Sequence, residues 1–423
     1  MQQLDIALAT IAATVIVIGV ISNAIKRSIL QEPMIAVGVG IAIGPVGLGW
    51  LDLTEWGNEN AILAQAARLT LAIGLMGVAM RLRPKSIPRL WRPVTIMLTV
   101  GMLGAWLVAA GLIGSTLGLS FWMALLIGAV VTPTDPVVAS SIVTGKLAAE
   151  NLPLRLRDLI SMESGANDGL AYILVMLPII LWGGLGGGLG GGLAGGPGSG
   201  HGWSTWVVEA VLVGVGLAAL IGGAVGYGAA RLLTFAEGHK LIEKTSLLGY
   251  SIAFSLLTLG GSHLVGADSM ISVFLAGMVF NLCLRRYEEH EEERIQEAVA
   301  KLLTLPMFVL FGIALPVEGW VALGWPLLAT VFLVILLRRP PVIIALLPVV
   351  RRKLNPFDVA FTGWFGPIGV AAVYYAAMAR THVDDPVIWH VASALIFASI
   401  IVHGMTAAHF TRRYARVTRR QTV

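Results

Sequence analysis

Residues 132–136 read Thr132-Pro133-Thr134-Asp135-Pro136, and they interrupt an apolar run, 120–142, that is otherwise long enough to cross a lipid bilayer. Each proline removes a backbone N–H and clashes with the preceding turn. The spacing therefore predicts a helix that breaks at Thr132, Pro133 and Pro136, with Asp135 inside the break. Carbonyls and amides freed there cannot face lipid; they can coordinate a cation or cap a neighbouring polar group. A simple proline kink is the plainer alternative. A second interruption, Gly363-Trp364-Phe365-Gly366-Pro367-Ile368-Gly369, divides the run 356–379 around Gly366 and Pro367.

The rest of the chain fits this reading. Of 423 residues, 57% are hydrophobic and 13% charged, against roughly 25% charged in an ordinary soluble domain. So few charges cannot cover the surface of so apolar a soluble protein, and the same composition excludes disorder, collagen and a disulfide scaffold. Cys283 is the single cysteine and reads as a packing residue. Thirteen apolar runs read as transmembrane helices: 4–23, 29–49, 60–80, 93–116, 120–142, 157–182, 205–232, 243–261, 264–284, 299–315, 325–349, 356–379 and 386–411. With the N-terminus outside and the C-terminus cytoplasmic, 25 of the 29 basic residues fall in inner loops or tails, as the positive-inside rule requires. The net charge of +5 is thus a topology signal, and no nucleic-acid partner is expected. The first run has Asp5 at its start and no base before it, and is followed by Lys26 and Arg27, the wrong polarity for a cleaved signal peptide. The glycine-rich stretch 183–202 reads as a flexible outer linker. The charged run from Arg285 to Glu297 reads as a solvated cytoplasmic helix end. Trp50, Trp56, Trp320 and Trp389 are expected interface anchors, and Asp268 is expected at the outer interface.

Ionisable residues at mid-membrane are costly and become functional candidates. Besides Asp135 they include Glu163 and Asp168, within Glu163-Ser164-Gly165-Ala166-Asn167-Asp168-Gly169 of the sixth run, and Arg338 and Arg339 in the eleventh. On a helix Ser164 and Asp168 share a face, as do Glu163 and Asn167. A hydroxyl and a carboxylate together, beside a second carboxylate and an amide, are oxygen ligands suited to a hard cation such as sodium. Glu163 needs a cationic partner to stay charged in the interior. Arg339 is the economical choice and Arg338 the alternative. If the first six helices repeat as the last six, the twelfth run corresponds to the fifth, and paired broken helices point to a transporter's binding site. His403 reads as a packed or helix-bonded histidine, and Arg68 as a residue that snorkels or pairs with a neighbour. No metal-enzyme cluster or phosphate loop is present, so no cofactor and no ATP are expected.

These motifs resemble those of the sodium/proton exchangers, and more closely the prokaryotic branch of the monovalent cation:proton antiporter superfamily that carries an Asn-Asp pair. Thr132–Pro136, Glu163–Gly169, Arg339-Pro340 and Trp364–Gly369 carry the resemblance, which extends over essentially the whole chain. It implies a single all-α transporter domain with two inverted six-helix repeats, roughly 1–182 and 243–411, joined by 183–242. It implies crossed discontinuous helices 5 and 12, a homodimer, and a place in a prokaryotic cell membrane with a part in pH homeostasis. It implies cation binding by Asp168 with Ser164, Thr134 and Asp135 nearby, Asn167 ordering the broken helix, and Glu163 paired with Arg339. Two positions depart from the pattern: Leu75–Met80 lacks the acid that many relatives carry in the third helix, and Ile368 stands where some carry a base.

The function expected is exchange of Na⁺, or of Li⁺ or K⁺, for H⁺ by competition at Asp168. Burial disfavours the charged form of a carboxylate, so a proton and a cation can share it. One carrier carboxylate implies electroneutral one-for-one exchange. The rivals are a gradient-driven symporter, a cation channel and an intramembrane aspartyl protease, which also needs two aspartates. Neither Asp135 nor Asp168 sits in a Tyr-Asp or Gly-x-Gly-Asp motif.

Overall fold

Long runs of Leu, Ile, Val and Ala satisfy their backbone groups in lipid only as helices. The computed structural model describes residues 2–28, 30–135, 139, 143–184, 202–240, 246–284 and 291–419, and among them it is helical with no strand. Pro136, most of the glycine-rich linker and the charged segment 285–290 lie outside the described residues. The helices are α1 (Gln2–Arg27), α2 (Glu32–Ile43), α3 (Glu59–Arg81), α4 (Ile87–Leu117), α5 (Phe121–Val130), α6 (Leu154–Gly184), α7 (Gly202–Gly238), α8 (Ser246–Leu264), α9 (Ser269–Leu284), α10 (Glu291–Ile313), α11 (Val317–Ala345), the two halves α12a (Pro356–Trp364) and α12b (Val370–His382), and α13 (Val387–Arg419). By length and composition α1, α3, α4, α6, α7, α11 and α13 can cross a membrane. The apolar helices α2, α5 and α9 are shorter.

Local chemistry sets several boundaries. Asn58 caps α3 by accepting the Ala61 N–H, and Ser120 caps α5 through Met123. Asn355 and Asp358 form a capping box before α12a, with Pro356 at the first helical position. Other boundaries depart from the hydropathy reading. α11 begins at Val317, before run 325–349, because Gly324 takes a left-handed φ of 62° that joins two helical pieces. α13 runs on to Arg419, since its last turns carry arginines on one face while Thr411, Tyr414 and Ala415 stay buried. α2 covers only 12 residues of run 29–49 and stops at the turn after Ile43.

Small residues set the closest crossings. A Cβ at Gly40 of α2 would stand 2.1 Å from the Val309 carbonyl of α10, and one at Gly312 would stand 2.3 Å from the Val37 carbonyl. Gly222 and Gly226 of α7 lie in the same way against the Ser272 and Ala276 carbonyls of α9. Without a hydrophobic driving force between helices, such backbone approach supplies the packing. Three expectations fail at this level. Trp389 is buried and donates its indole N–H to Ala314 O at 3.0 Å instead of anchoring at an interface. Asp268 is buried, capping α9 through the Ile271 N–H. Cys283 is exposed instead of packed.

Gly40→Val is expected to destabilise the fold by at least the ~1–3 kcal/mol of an overpacked site, because the obstacle is backbone. Gly38→Val on the same helix, where a Cβ meets nothing within 4 Å, should melt with the wild type. Thermal unfolding of the two variants in detergent checks this, and equal melting would contradict the backbone-contact reading.

Candidate functional site

The two interruptions meet. α5 ends at Val130 and residues 131–135 leave helical geometry; α12a ends at Trp364 and residues 365–369 do the same. The breaks bond directly to each other. The Asp135 N–H donates to Pro367 O at 2.8 Å, and the Val370 N–H, first of α12b, donates to Asp135 Oδ2 at 2.5 Å. A carboxylate at a helix N-terminus also complements the helix dipole. Gly369 lies so close to Asp135 that a Cβ there would sit 2.0 Å from Oδ2.

The remaining freed groups are met by side chains from neighbouring helices. Arg338 donates through Nη1 to Val131 O and to Thr132 O (3.1 Å), and through Nη2 to Gly366 O at 2.5 Å. One guanidinium thus ties the C-terminal carbonyls of α5 to the α12 break. Asn167 of α6 accepts the Thr134 N–H at 2.9 Å and donates to Thr134 Oγ1 at 2.6 Å and to Glu163 Oε1 at 2.9 Å. Ser164 donates to Thr134 O. On the α13 side Ser399 Oγ accepts the Ile368 N–H at 2.7 Å and lies 3.0 Å from His403 Nδ1. His403 Nε2 lies 3.1 Å from Trp364 O, the last carbonyl of α12a. His403 Nδ1 also lies 3.0 Å from the Ser399 backbone carbonyl, so the imidazole bridges Ser399 on its own helix and Trp364 O at the end of α12a.

Arg339, the next residue, turns the other way. Its Nη1 and Nη2 meet Glu163 Oε1 and Oε2 at 3.0 and 2.9 Å, and its Nε donates to Thr362 O at 3.2 Å. A bidentate pair of this kind is charge-assisted and directional. Asp168 differs from every other acid in the cluster. It is fully buried, and neither carboxylate oxygen has a hydrogen-bond partner among the described residues. Tyr375 donates to its backbone carbonyl at 2.5 Å, not to its side chain. A buried, undonated carboxylate is tolerable only when it carries a proton or meets a cation.

The structure therefore brings Thr132, Pro133, Thr134, Asp135, Glu163, Ser164, Asn167, Asp168, Arg339, Gly366 and Pro367 into one buried cluster. Within it Ser164 and Asn167 each bond to Thr134, and none of the three donates to the Asp168 carboxylate. His403 is buried and bonded to its own helix at Ser399 O, as the sequence reading has it; its reach to Trp364 O and the parts played by Arg338 and Ser399 were missed. Two adjacent intramembrane arginines facing one well-placed glutamate were the available signal for Arg338. The spacing of Ser399 and His403, four apart on one helix, carried none. No group of three or more His, Cys, Asp or Glu side chains that could hold a metal ion occurs among the described residues.

Residues 10–413 match the family model described as sodium/hydrogen exchanger, transmembrane. The chain belongs to this family. It is 28% identical over 444 residues to Na(+)/H(+) antiporter 2 of Zygosaccharomyces rouxii, covering 96% of this chain and 53% of that one. It is 29% identical to the Na(+)/H(+) antiporter of Saccharomyces cerevisiae, covering 97% of this chain and 44% of that one. It is 24% identical to the K(+)/H(+) antiporter NhaP of Alkalimonas amylolytica, covering 94% and 66%. The chain thus spans about half the length of the two fungal relatives. The sodium proton antiporter MjNhaP1 of Methanocaldococcus jannaschii shares the fold, with a TM-score of 0.75 over 98% of this chain and 99% of that one at 16% identity. These matches are to transporters, not enzymes, and support none of the rival functions.

Two outcomes are expected of the internal contacts of the cluster. Glu163→Gln breaks a buried ion pair from one side and should cost about 3–5 kcal/mol, read as a lowered melting temperature in detergent; an unchanged value would remove the pair from the framework. His403→Leu strands Trp364 O and the Ser399 hydroxyl at about 1–3 kcal/mol. His403→Gln, which keeps an N–H donor, should recover part of that loss in the same assay, and equal losses in both variants would contradict the assigned bonds.

Proposed function

We propose that the chain is a secondary antiporter that exchanges a monovalent cation, Na⁺ first and Li⁺ or K⁺ as alternatives, for H⁺ at Asp168. The observation that carries this reading is the pair of buried Asp168 oxygens with no donor among the described residues. Every other acid of the cluster is committed. Glu163 is held by Arg339 and Asn167, and Asp135 caps α12b. That leaves one carboxylate to carry either a proton or a cation, which supports electroneutral one-for-one exchange. Ser164, Thr134 and Asp135 supply oxygens beside it, and Asn167 keeps the α5 break in register. The family and the names of its relatives support the cation and the proton as substrates.

In this mechanism the cation reaches an ionised Asp168 and is bound by oxygens, as a hard cation requires. A proton from the opposite side displaces it. Loaded with either, the site is neutral enough to move; bare, it holds an uncompensated charge in a low-dielectric interior, which resists movement. Alternating access follows from rigid-body motion of the bundle that contains the crossed breaks. The wider arrangement belongs to the same proposal. It is a single domain of thirteen transmembrane helices in two inverted repeats, assembled as a homodimer in a cell membrane with the N-terminus outside. The broken α5 and α12 at corresponding places support the repeat, and the placement of the basic residues supports the orientation.

Asp168→Asn is expected to abolish exchange while leaving the fold intact, since it removes no bond seen among the described residues. Proteoliposomes loaded with a pH-sensitive dye test this. Pulses of Na⁺, Li⁺ or K⁺ should dequench the dye with wild-type protein and leave it flat with the variant. Dequenching by a well-folded Asp168→Asn protein would overturn the assignment. Clamping the membrane potential with valinomycin and K⁺ should leave the wild-type rate with Na⁺ unchanged, and a rate that scales with voltage would contradict electroneutrality.

A further inference from the structure

Away from the crossed breaks, the C-terminal end of α13 and the turn after α1 enclose a pocket of about 450 Å³, lined by Ser28, Met405, Ala408, His409, Arg412, Arg413 and Arg416. Positions 405, 408, 409, 412, 413 and 416 lie three or four apart, so they form one stripe along the helix. The opposite face does the packing: Thr411, Tyr414 and Ala415 are buried, and Tyr414 donates to Asp358 Oδ1 at 2.6 Å. The three guanidiniums are exposed and have no acid or hydrogen-bond partner among the described residues. A basic concavity that contributes nothing to packing and has no internal counter-ion is built for an anion.

The order along the stripe distinguishes the kind of anion. Met405 and Ala408 come first, nearer the spanning part of α13, and the arginines follow, the whole stripe running about 16 Å at 1.5 Å per residue. The pocket is therefore apolar on its membrane side and cationic on its water side, the polarity of a glycerophospholipid. Under the proposed topology it opens at the cytoplasmic headgroup level, where basic pockets between transmembrane helices meet anionic lipid.

We propose that this pocket binds the phosphate of an anionic phospholipid, with Arg412, Arg413 and Arg416 on the headgroup and Met405 and Ala408 against the glycerol and upper acyl chain. At about five-fold in affinity per basic residue near an anionic surface, neutralising all three arginines predicts a loss on the order of 100-fold.

The test uses the full chain in a neutral detergent, with its melting temperature followed against added phosphatidylglycerol, phosphatidylcholine or inorganic phosphate. Phosphatidylglycerol should raise the melting temperature of the wild type in a dose-dependent way, and the midpoint should move to far higher lipid in Arg412→Gln/Arg413→Gln/Arg416→Gln. Ala408→Trp, which fills the pocket and keeps every charge, should lose the effect as well. Arg351→Gln/Arg352→Gln/Lys353→Gln, an exposed basic cluster elsewhere, should retain it. An equal response in the triple arginine variant or in Ala408→Trp would overturn the site. An equal loss in the Arg351 cluster variant would reduce the effect to bulk charge and overturn it too. Phosphatidylcholine or inorganic phosphate matching phosphatidylglycerol would overturn an anionic lipid as the ligand. Because the readout is melting, dye-based exchange that fails in the wild type would count against the transport proposal and leave this one standing.

Discussion

A helix broken inside an apolar bundle exposes backbone amides and carbonyls where no water can reach them, and that cost governs how this chain is built. Each unpaired group there costs several kcal/mol. Among the described residues the chain leaves helical geometry at 131–135 and at 365–369, and it places specific partners against several of the groups freed there. The breaks serve each other through Asp135, Pro367 and Val370. Arg338 gathers the carbonyls that remain, Asn167 and Ser164 hold Thr134 from α6, and Ser399 with His403 holds the α12 side from α13.

Charge follows from the same constraint. The carbonyls that follow α5 face a guanidinium, and the N-terminus of α12b faces a carboxylate, so these two helix ends each have a complementary charge. Arg339 and Glu163 neutralise each other with two short contacts. Once these charges are matched, Asp168 is the acid left over. A carrier site needs a group that the framework does not already satisfy. Among the described residues of the cluster the Asp168 carboxylate stands apart from its bonded neighbours, which supports the proposal that it is the carrier and they the scaffold.

Much of this was legible in the sequence because lipid enforces simple rules. Hydropathy located the helices, and the proline and glycine pairs located both breaks. Glu163, Asn167 and Asp168 stood out because charge inside an apolar run demands an explanation. Helix ends were less legible. Gly324 joins two helical pieces through a left-handed φ that hydropathy does not register, and the arginines after Phe410 continue a helix that composition ends early. Contacts between distant segments were least legible. Nothing in the composition of α13 shows that Ser399 and His403 reach the α12 break, and an aromatic such as Trp389 has the same composition whether it faces an interface or Ala314 O. The division of labour between Arg338 and Arg339 depends on backbone carbonyls, which every residue has and no sequence displays.

Sharing of one carboxylate between a proton and a cation has a direct stoichiometric signature. Purified protein in weakly buffered detergent can be titrated with Na⁺ while the released protons are counted, at a pH where the site is protonated and again at alkaline pH. Competition at Asp168 releases one proton per cation bound at the lower pH and falls toward none at the higher. Two protons per cation, or cation binding with no release at any pH, would contradict it.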